Sequence, residues 1–187
     1  MIKVTKEDKL ILDAPGIKGW VRNKTSFSDK VPLIKVRYSF RKDIDPVVFM
    51  ELLTSKRKLW DKELTFYEDL STNDDWAVYR YIMRSPSCLS NPLYFVEKRL
   101  LFEEEGTYYG YYSFVPDNVF PLKKNYSRCH TVFGGTVLRK EYDEYAYYSL
   151  SQIDLHVNSF VQRLIMRYVP QKTKEFHEKF KGILDNL

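Results

Sequence analysis

Only two cysteines, Cys88 and Cys129, and three histidines, His130, His156 and His177, stand among the 187 residues. Two thiols allow one bridge at most, which is no disulfide framework, and a reducing compartment suits them equally well. The histidines are far apart and lack the His-x-x-x-His spacing that would set two metal ligands on one helix face. His130 and His156 fall on strands that can be neighbours, where satisfied strand histidines are the expectation. No glycine-rich phosphate loop occurs, and no Ser, Cys or carboxylate stands in a nucleophile signature. No apolar run approaches the roughly eighteen residues of a membrane-spanning helix, and no charged-then-apolar leader opens the chain. Neither an internal repeat nor a low-complexity tract is found. These absences argue against a metalloenzyme, a nucleotide-phosphate enzyme and a helical membrane protein.

What is present is aromatic and basic. Fifteen tyrosines and twelve phenylalanines supply large apolar bodies, many with a polar tip, which suit a half-wet cavity as well as strand packing. A net charge of +5 and a pI near 9.0 favour acidic partners such as phospholipid headgroups or nucleic acid, without choosing between them. The length predicts one domain, 1–187, large enough to bury a core without staples. Met1–Asp13 shows no cap or strand signal, and this end reads as a cut from a longer chain.

The thirty residues Asn158–Leu187 organise the rest. Phe160, Val161, Leu164, Ile165 and Tyr168 paint one stripe on a helix, and Phe176, Phe180, Ile183, Leu184 and Leu187 continue it. Pro170 lacks an amide proton and clashes with the preceding turn, so a kink or a break into two segments is expected there. A continuous helix would span about 45 Å at ~1.5 Å per residue, enough to cross a sheet. Upstream, Gly16–Arg22 and Val31–Phe40 read as strands. Asp45 before Pro46 is a helix start signal for Pro46–Thr54, with Val47, Val48, Met50, Leu52 and Leu53 as its buried residues. Six further strands follow: Glu63–Asp69, Asp75–Arg84, Leu93–Glu103, Tyr108–Val115, Arg128–Lys140 and Glu144–Val157. About eight strands without helical crossovers predict a mainly antiparallel sheet, in the α+β class, wrapped around the terminal helix. Gly134-Gly135 inside a strand predicts a bulge or sharp bend.

Period-two parity puts Leu93, Phe95, Glu97, Arg99 and Leu101 on one face, and Trp76, Val78, Arg80, Ile82 and Arg84 on one face of the strand before it. If these faces point inward, the charges must be paired or wait for a polar ligand group, because a bare charge in an apolar interior costs several kcal/mol. A solvent-exposed face carrying ordinary surface charges is the other reading.

Four short motifs, in order, give the chain a family resemblance. Arg57-Lys58-Leu59-Trp60-Asp61 resembles the Arg-x-x-Trp-Asp signature of START (steroidogenic acute regulatory-related lipid transfer) domains. Asn91-Pro92-Leu93-Tyr94-Phe95-Val96-Glu97-Lys98-Arg99 is similar to that family's Pro-Arg-Asp-Phe-Val-x-x-Arg strand, although Leu93-Tyr94 replaces its Arg-Asp pair. Tyr126-Ser127-Arg128 and the approach Asp154 to Val169-Pro170 match in place, so the resemblance runs from about Gly19 to the end. It implies a helix-grip fold with an internal lipid tunnel, the family's first helix being absent here. It also implies a monomeric, cytoplasmic or peripheral-membrane carrier of one lipid, without enzymatic activity, cofactor or nucleic-acid partner.

In phosphatidylcholine-binding members the signature arginine meets the lipid phosphate, and it falls on Arg57. The inward strand arginine falls on Arg99, and the acid that pairs with it in sterol-binding members falls on Arg80. Inward arginines without that acid favour phosphate over sterol, since a guanidinium matches phosphate as a fork of donors. Glu97 is the available counter-charge. The expected lipid-contacting set is Arg57, Trp60, Arg80, Glu97, Arg99 and Thr131, with a phospholipid first and a sterol second. Arg57→Ala is accordingly expected to weaken lipid binding far more than folding.

The loop Pro116–Asn125 sets Val119, Phe120 and Leu122 beside Lys123 and Lys124, a pairing suited to transient membrane contact; the alternative is a lid that buries Phe120 over the tunnel. On the terminal helix six cations face three anions, which usually marks a solvated face. An enzymatic alternative of cyclase or hydrolase type would rest on Glu97 or Asp154 as acid or base.

Overall fold

The computed structural model describes residues 3–41, 44–72, 76–85, 91–120, 124–157 and 159–187. Ten strands make one sheet: β1 (Lys9–Ala14), β2 (Ile17–Arg22), β3 (Leu33–Arg41), β4 (Leu64–Thr72), β5 (Ala77–Met83), β6 (Leu93–Glu104), β7 (Thr107–Phe114), β8 (Ser127–Arg128), β9 (His130–Glu141) and β10 (Glu144–Asp154). The order is β1-β2-β3-β10-β9-β7-β6-β5-β4, antiparallel along this path, with the two-residue β8 added parallel to β6. Helix α1 (Pro46–Leu53) and a short 3₁₀ turn at Arg57–Leu59 link β3 to β4, and α2 (Ser159–Leu184) closes the chain.

The sheet is larger than the eight strands expected. β1 was hidden because its pattern, Lys-Leu-Ile-Leu-Asp-Ala, is only partly apolar; as an edge strand it is largely exposed and is stabilised by pairing with β2. Pro170 does not divide the terminal helix, which runs through it. One lost hydrogen bond is tolerated because the following turns are fixed by burial: Phe180 and Leu184 are 0% and 1% exposed. The shift expected at Gly134-Gly135 lies earlier on β9. Phe133 faces Gln152 and Thr131 faces Ile153, so Val132 is the extra residue, while Gly134 and Gly135 pair regularly with Ser151 and Leu150. Gly134 serves another purpose: a Cβ there would stand 3.0 Å from Cβ of Tyr112.

Local signals act where expected at α1. Asp45 Oδ1 accepts from the Val47 amide at 2.7 Å, and Pro46 occupies the first turn. Its buried residues are Phe49, Met50 and Leu52, whereas Val47 is exposed, because α1 packs edge-on against the junction of β3 and α2. The principal core lies on the inner face of the sheet, where Val36, Tyr38, Phe40, Leu138, Tyr145 and Tyr147 meet Phe49, Phe180 and Leu184. Phe180 packs edge-on against Phe40 and Phe49, with ring centroids 5.5 and 5.0 Å away. A second cluster, Val78, Ile82, Tyr94 and Val96, lies on the outer face under Val115, Phe120 and Tyr126. Cys129 is a free buried thiol that burial pushes up to about 12; Cys88 lies outside the described residues.

Glu141 and His177 are among the groups that make the fold acid-sensitive, as is Asp8, which burial alone would raise and hydrogen bonds from Arg22 and Lys35 hold far below its ordinary value. Burial alone would raise Glu141, but hydrogen bonds from Arg37, Tyr148 and Arg139 outweigh it and bring its carboxyl from 4.5 down to about 2. His177, stacked 5.4 Å from Tyr38 inside the core, is held below its ordinary value by burial. The unfolded chain therefore takes up protons first at both positions. Stability contributed by His177 is full above about 6.5 and declines below it. That from Glu141 is full above 4.5 and is lost as pH falls to about 2. Glu141→Gln is expected to cost about 2 kcal/mol at pH 7, after a discount for its partial solvent contact, and nothing near pH 2. Urea unfolding at both pH values checks this; a pH-independent cost would mean that packing, not charge, is lost.

Candidate functional site

A cavity of about 500 Å³ lies between the inner face and α2. α2 covers it with Val169, Lys172, Thr173 and Phe176. The sheet lines it with Tyr67, Tyr81, Met83, Glu97, Arg99, Tyr112, Thr131, Thr136, Tyr147 and Ser149, and Leu53, Thr54 and Arg57 close one side. Two smaller grooves adjoin it. One of about 240 Å³ shares Arg57, Met83, Lys172 and Phe176; the other, of about 200 Å³, shares Ser151, Ile153 and Val169. The lining mixes aromatic and aliphatic side chains with nearly as many polar ones, a more polar wall than small-molecule sites usually have.

The expected residues divide in three. Glu97, Arg99 and Thr131 come together on the inner face, along with Arg57. Glu97 is 5% exposed, accepts a short hydrogen bond from the Thr131 hydroxyl, and is also engaged by Tyr81. Arg99 lies between two rings, its guanidinium carbon 4.1 Å from the centroid of Tyr79 and 4.5 Å from that of Tyr112. Its Nε and Nη1 atoms are sealed from solvent without a hydrogen-bond partner, as is the hydroxyl of Tyr79. Burial alone would lower Arg99, but Tyr112, Tyr79 and Glu97 hold it above its ordinary value. The cation is permanent. Burial pushes Tyr67, Tyr79, Tyr81 and Tyr147 upward, so all stay neutral phenols.

Arg57 lines the cavity, but its charge is answered. Nε and Nη2 stand 2.8 and 2.7 Å from Asp61 Oδ2, Asp61 is 5% exposed, and the guanidinium lies over Phe176. Trp60 lines the adjoining groove and not the main cavity: its Nε1 donates to the Leu52 carbonyl at 2.8 Å, and its ring packs on Phe176 and Phe180.

Arg80 does not join the others. Register pairs Tyr79 with Glu97, Tyr81 with Phe95 and Arg80 with Val96, which puts Arg80 on the outer face. There it binds Glu68 and lies over Phe66. Its expected inward position came from assuming that two mixed faces coincide; parity fixes each strand's own faces, whereas their alignment depends on register. Tyr67 and Tyr112, which line the cavity, and Tyr79, which packs on Arg99 without lining it, were missed by sequence reasoning. Their strand parity was available, but nothing local says which aromatic will flank a cation on another strand.

The described part of the loop after β7 packs on the outer face through Val115, Phe120 and Tyr126. Phe120 is half-buried against the second cluster, Val119 is 56% exposed, and Lys124 is exposed. Leu122 and Lys123 lie outside the described residues. The two histidines are neighbours: His156 Nε2 lies 3.0 Å from His130 Nδ1, and His130 Nε2 lies 3.1 Å from Asp117. Asp154 accepts from the His156 amide and belongs to the smaller groove, away from Glu97. Among the described residues no group of three or more His, Cys, Asp or Glu is arranged to hold a metal, and no helix is long and apolar enough to cross a membrane.

Solved structures of the same architecture are found at low identity. Human StAR-related lipid transfer protein 5 matches with a TM-score of 0.84 and 17% identity, over 98% of this chain and 89% of its own. Human STARD10 matches at 0.78 and 17%, over 95% and 74%. The STAR-related lipid transfer protein fragment from Xanthomonas axonopodis matches at 0.71 and 16%, over 96% and 99%. No protein-family model matches the chain, and no curated protein sequence matches it.

Proposed function

We propose that this chain, which has the helix-grip fold of START domains, holds one amphipathic lipid beneath α2 and carries it between membranes. The observation that supports this most is Arg99, an inward cation whose Nε and Nη1 have no hydrogen-bond partner, on the wall of a cavity that also carries aromatic and aliphatic groups. Glu97 supplies part of the counter-charge, but the unpartnered donors remain a cost that a ligand's polar group would relieve. The polar end of a phospholipid is therefore placed at Arg99, with its hydrocarbon along Met83, Ile153, Val169 and Phe176. Each methylene buried there contributes about 0.8 kcal/mol. Arg57, already neutralised by Asp61, is left as the wall of the site. A sterol is the second reading, because the buried Glu97 and Thr131 pair offers an acceptor to a hydroxyl. Membrane contact would fall to Val119 and Lys124 and not to the half-buried Phe120.

Native mass spectrometry after incubation with vesicles of mixed membrane lipids tests the reading. One phospholipid per chain is the expected result, and a sterol would transfer the polar role to Glu97. A chain that stays empty and moves no labelled lipid between vesicles would overturn it. Ser149→Trp, which fills the cavity from β10, is expected to lower lipid loading at least ten-fold while secondary structure, read by circular dichroism, stays the same. Undiminished loading would place the lipid elsewhere.

A further inference from the structure

We propose that His130 and His156 form a surface site for one copper(II) ion, apart from the lipid cavity. Neither histidine lines that cavity or its two adjoining grooves. His130 opens β9, and His156 stands in the short link between β10 and α2. His130 Nδ1 and His156 Nε2 face each other at 3.0 Å. The other nitrogen of each ring has a carboxylate beside it: His130 Nε2 lies 3.1 Å from Asp117 Oδ1, and His156 Nδ1 lies 3.7 Å from Asp154 Oδ2.

Those carboxylates bear on where the ring protons go. A neutral imidazole carries one N–H and one lone pair. An N–H turned toward each aspartate leaves the lone pairs of His130 Nδ1 and His156 Nε2 facing one another, an arrangement that a cation between them completes. Metal-bound histidines share this pattern: the nitrogen away from the metal donates to a carboxylate, which fixes the tautomer and raises the ligand's basicity. The groups around the pair are also held. Phe114 stacks on His130 with ring centroids 4.6 Å apart, Arg128 Nε lies 2.9 Å from Asp117 Oδ1, and Asp154 accepts from the His156 amide at 2.8 Å. Two carboxylates and one guanidinium leave a charge of −1 beside the rings, which favours a cation.

The spacing selects the metal. Nitrogens 3.0 Å apart, each about 2.0 Å from one ion, subtend about 95° at it. Neighbouring positions of a square-planar or tetragonal site meet at close to this angle, which is narrower than the roughly 109° of tetrahedral zinc. Copper(II) takes that geometry, accepts imidazole nitrogen and stands highest in the order of divalent affinities. No third His, Cys, Asp or Glu completes a site among the described residues, so water fills the other positions and the ion is exchangeable. Bound there, it ties the entry to α2 to the start of β9.

Titration of the whole chain with copper(II) chloride in a non-chelating buffer near neutral pH, read by electron paramagnetic resonance, tests the site. One ion per chain is expected, with hyperfine structure from two imidazole nitrogens. His156 has a side chain 47% exposed, and His156→Gln should keep the fold while weakening copper binding at least about thirty-fold; His130→Gln should do the same. Asp117→Asn should weaken binding about ten-fold, and zinc should bind at least about ten-fold more weakly than copper. Circular dichroism shows whether each variant is folded, and His156→Gln keeps the test decisive if His130→Gln is not. Unchanged copper affinity, or an unchanged two-nitrogen signal, in folded His156→Gln would place the ion elsewhere and overturn the proposal. Zinc binding as tightly as copper would overturn it as well. So would the absence of copper binding, which would leave the two rings sharing only a proton.

Discussion

Phe180→Ala is expected to destabilise the domain by about 3–5 kcal/mol and to lower its thermal midpoint by about 10 °C, at roughly 2–4 °C per kcal/mol for a chain of this size. Phe180 is 0% exposed and touches α1, β3 and the turn before β4 through Phe49, Phe40 and Trp60. Its removal leaves a void at the point where α2 is fastened to the sheet. The amino-terminal half of α2 is held differently, with Leu164 38% and Tyr168 61% exposed. Tyr168→Ala should therefore change stability by no more than about 0.5 kcal/mol. Calorimetry on the two variants decides the matter: comparable losses would mean that the helix is fastened along its whole length. The asymmetry bears on function, because Val169, Lys172, Thr173 and Phe176 roof the cavity between the weakly and strongly held halves.

Arg57→Ala is expected to cost about 3 kcal/mol of stability and to leave lipid affinity within about three-fold, the reverse of what the motif alone suggests. The physical reason is Asp61. At 5% exposure it depends on Arg57 for its counter-charge, with additional support from the Glu63 amide at 3.1 Å, and truncating the arginine leaves a buried carboxylate unanswered. Replacing both partners by apolar groups, Arg57→Met with Asp61→Leu, should recover most of the loss, since an ion pair and a well-packed apolar pair are often close in stability. Urea denaturation and lipid titration on the single and double variants separate the two roles. A large loss of lipid affinity at unchanged stability would restore Arg57 as the headgroup partner.

Eight of the ten strands, the two helices and the sharing of one face by Glu97 and Arg99 were legible in the sequence, because they depend on periodicity and on local start signals; that this face points inward was not. Val31–Phe40 was legible as a strand, and Asp45-Pro46 foretold the first turn of α1. What failed depended on partners distant in sequence. β1 is only partly apolar and gives no period-two signal, and it exists by pairing with β2. Pro170 reads as a breaker, yet the burial of Phe180 and Leu184 carries the helix through it. Phe120 stands in a polar loop, and only the outer-face cluster shows where its ring goes.

The sequence by itself determined which residues share a face of each strand, since a strand's side chains alternate by covalent geometry alone. The tertiary structure decided which face meets which. Pairing of Tyr79, and not Arg80, with Glu97 sent one arginine outward to Glu68. The same register left Arg99 between Tyr79 and Tyr112 with its Nε and Nη1 unpartnered. Register is a long-range property, set by the packing of whole faces against α2 and the outer loop, and a shift of one residue would exchange the two faces.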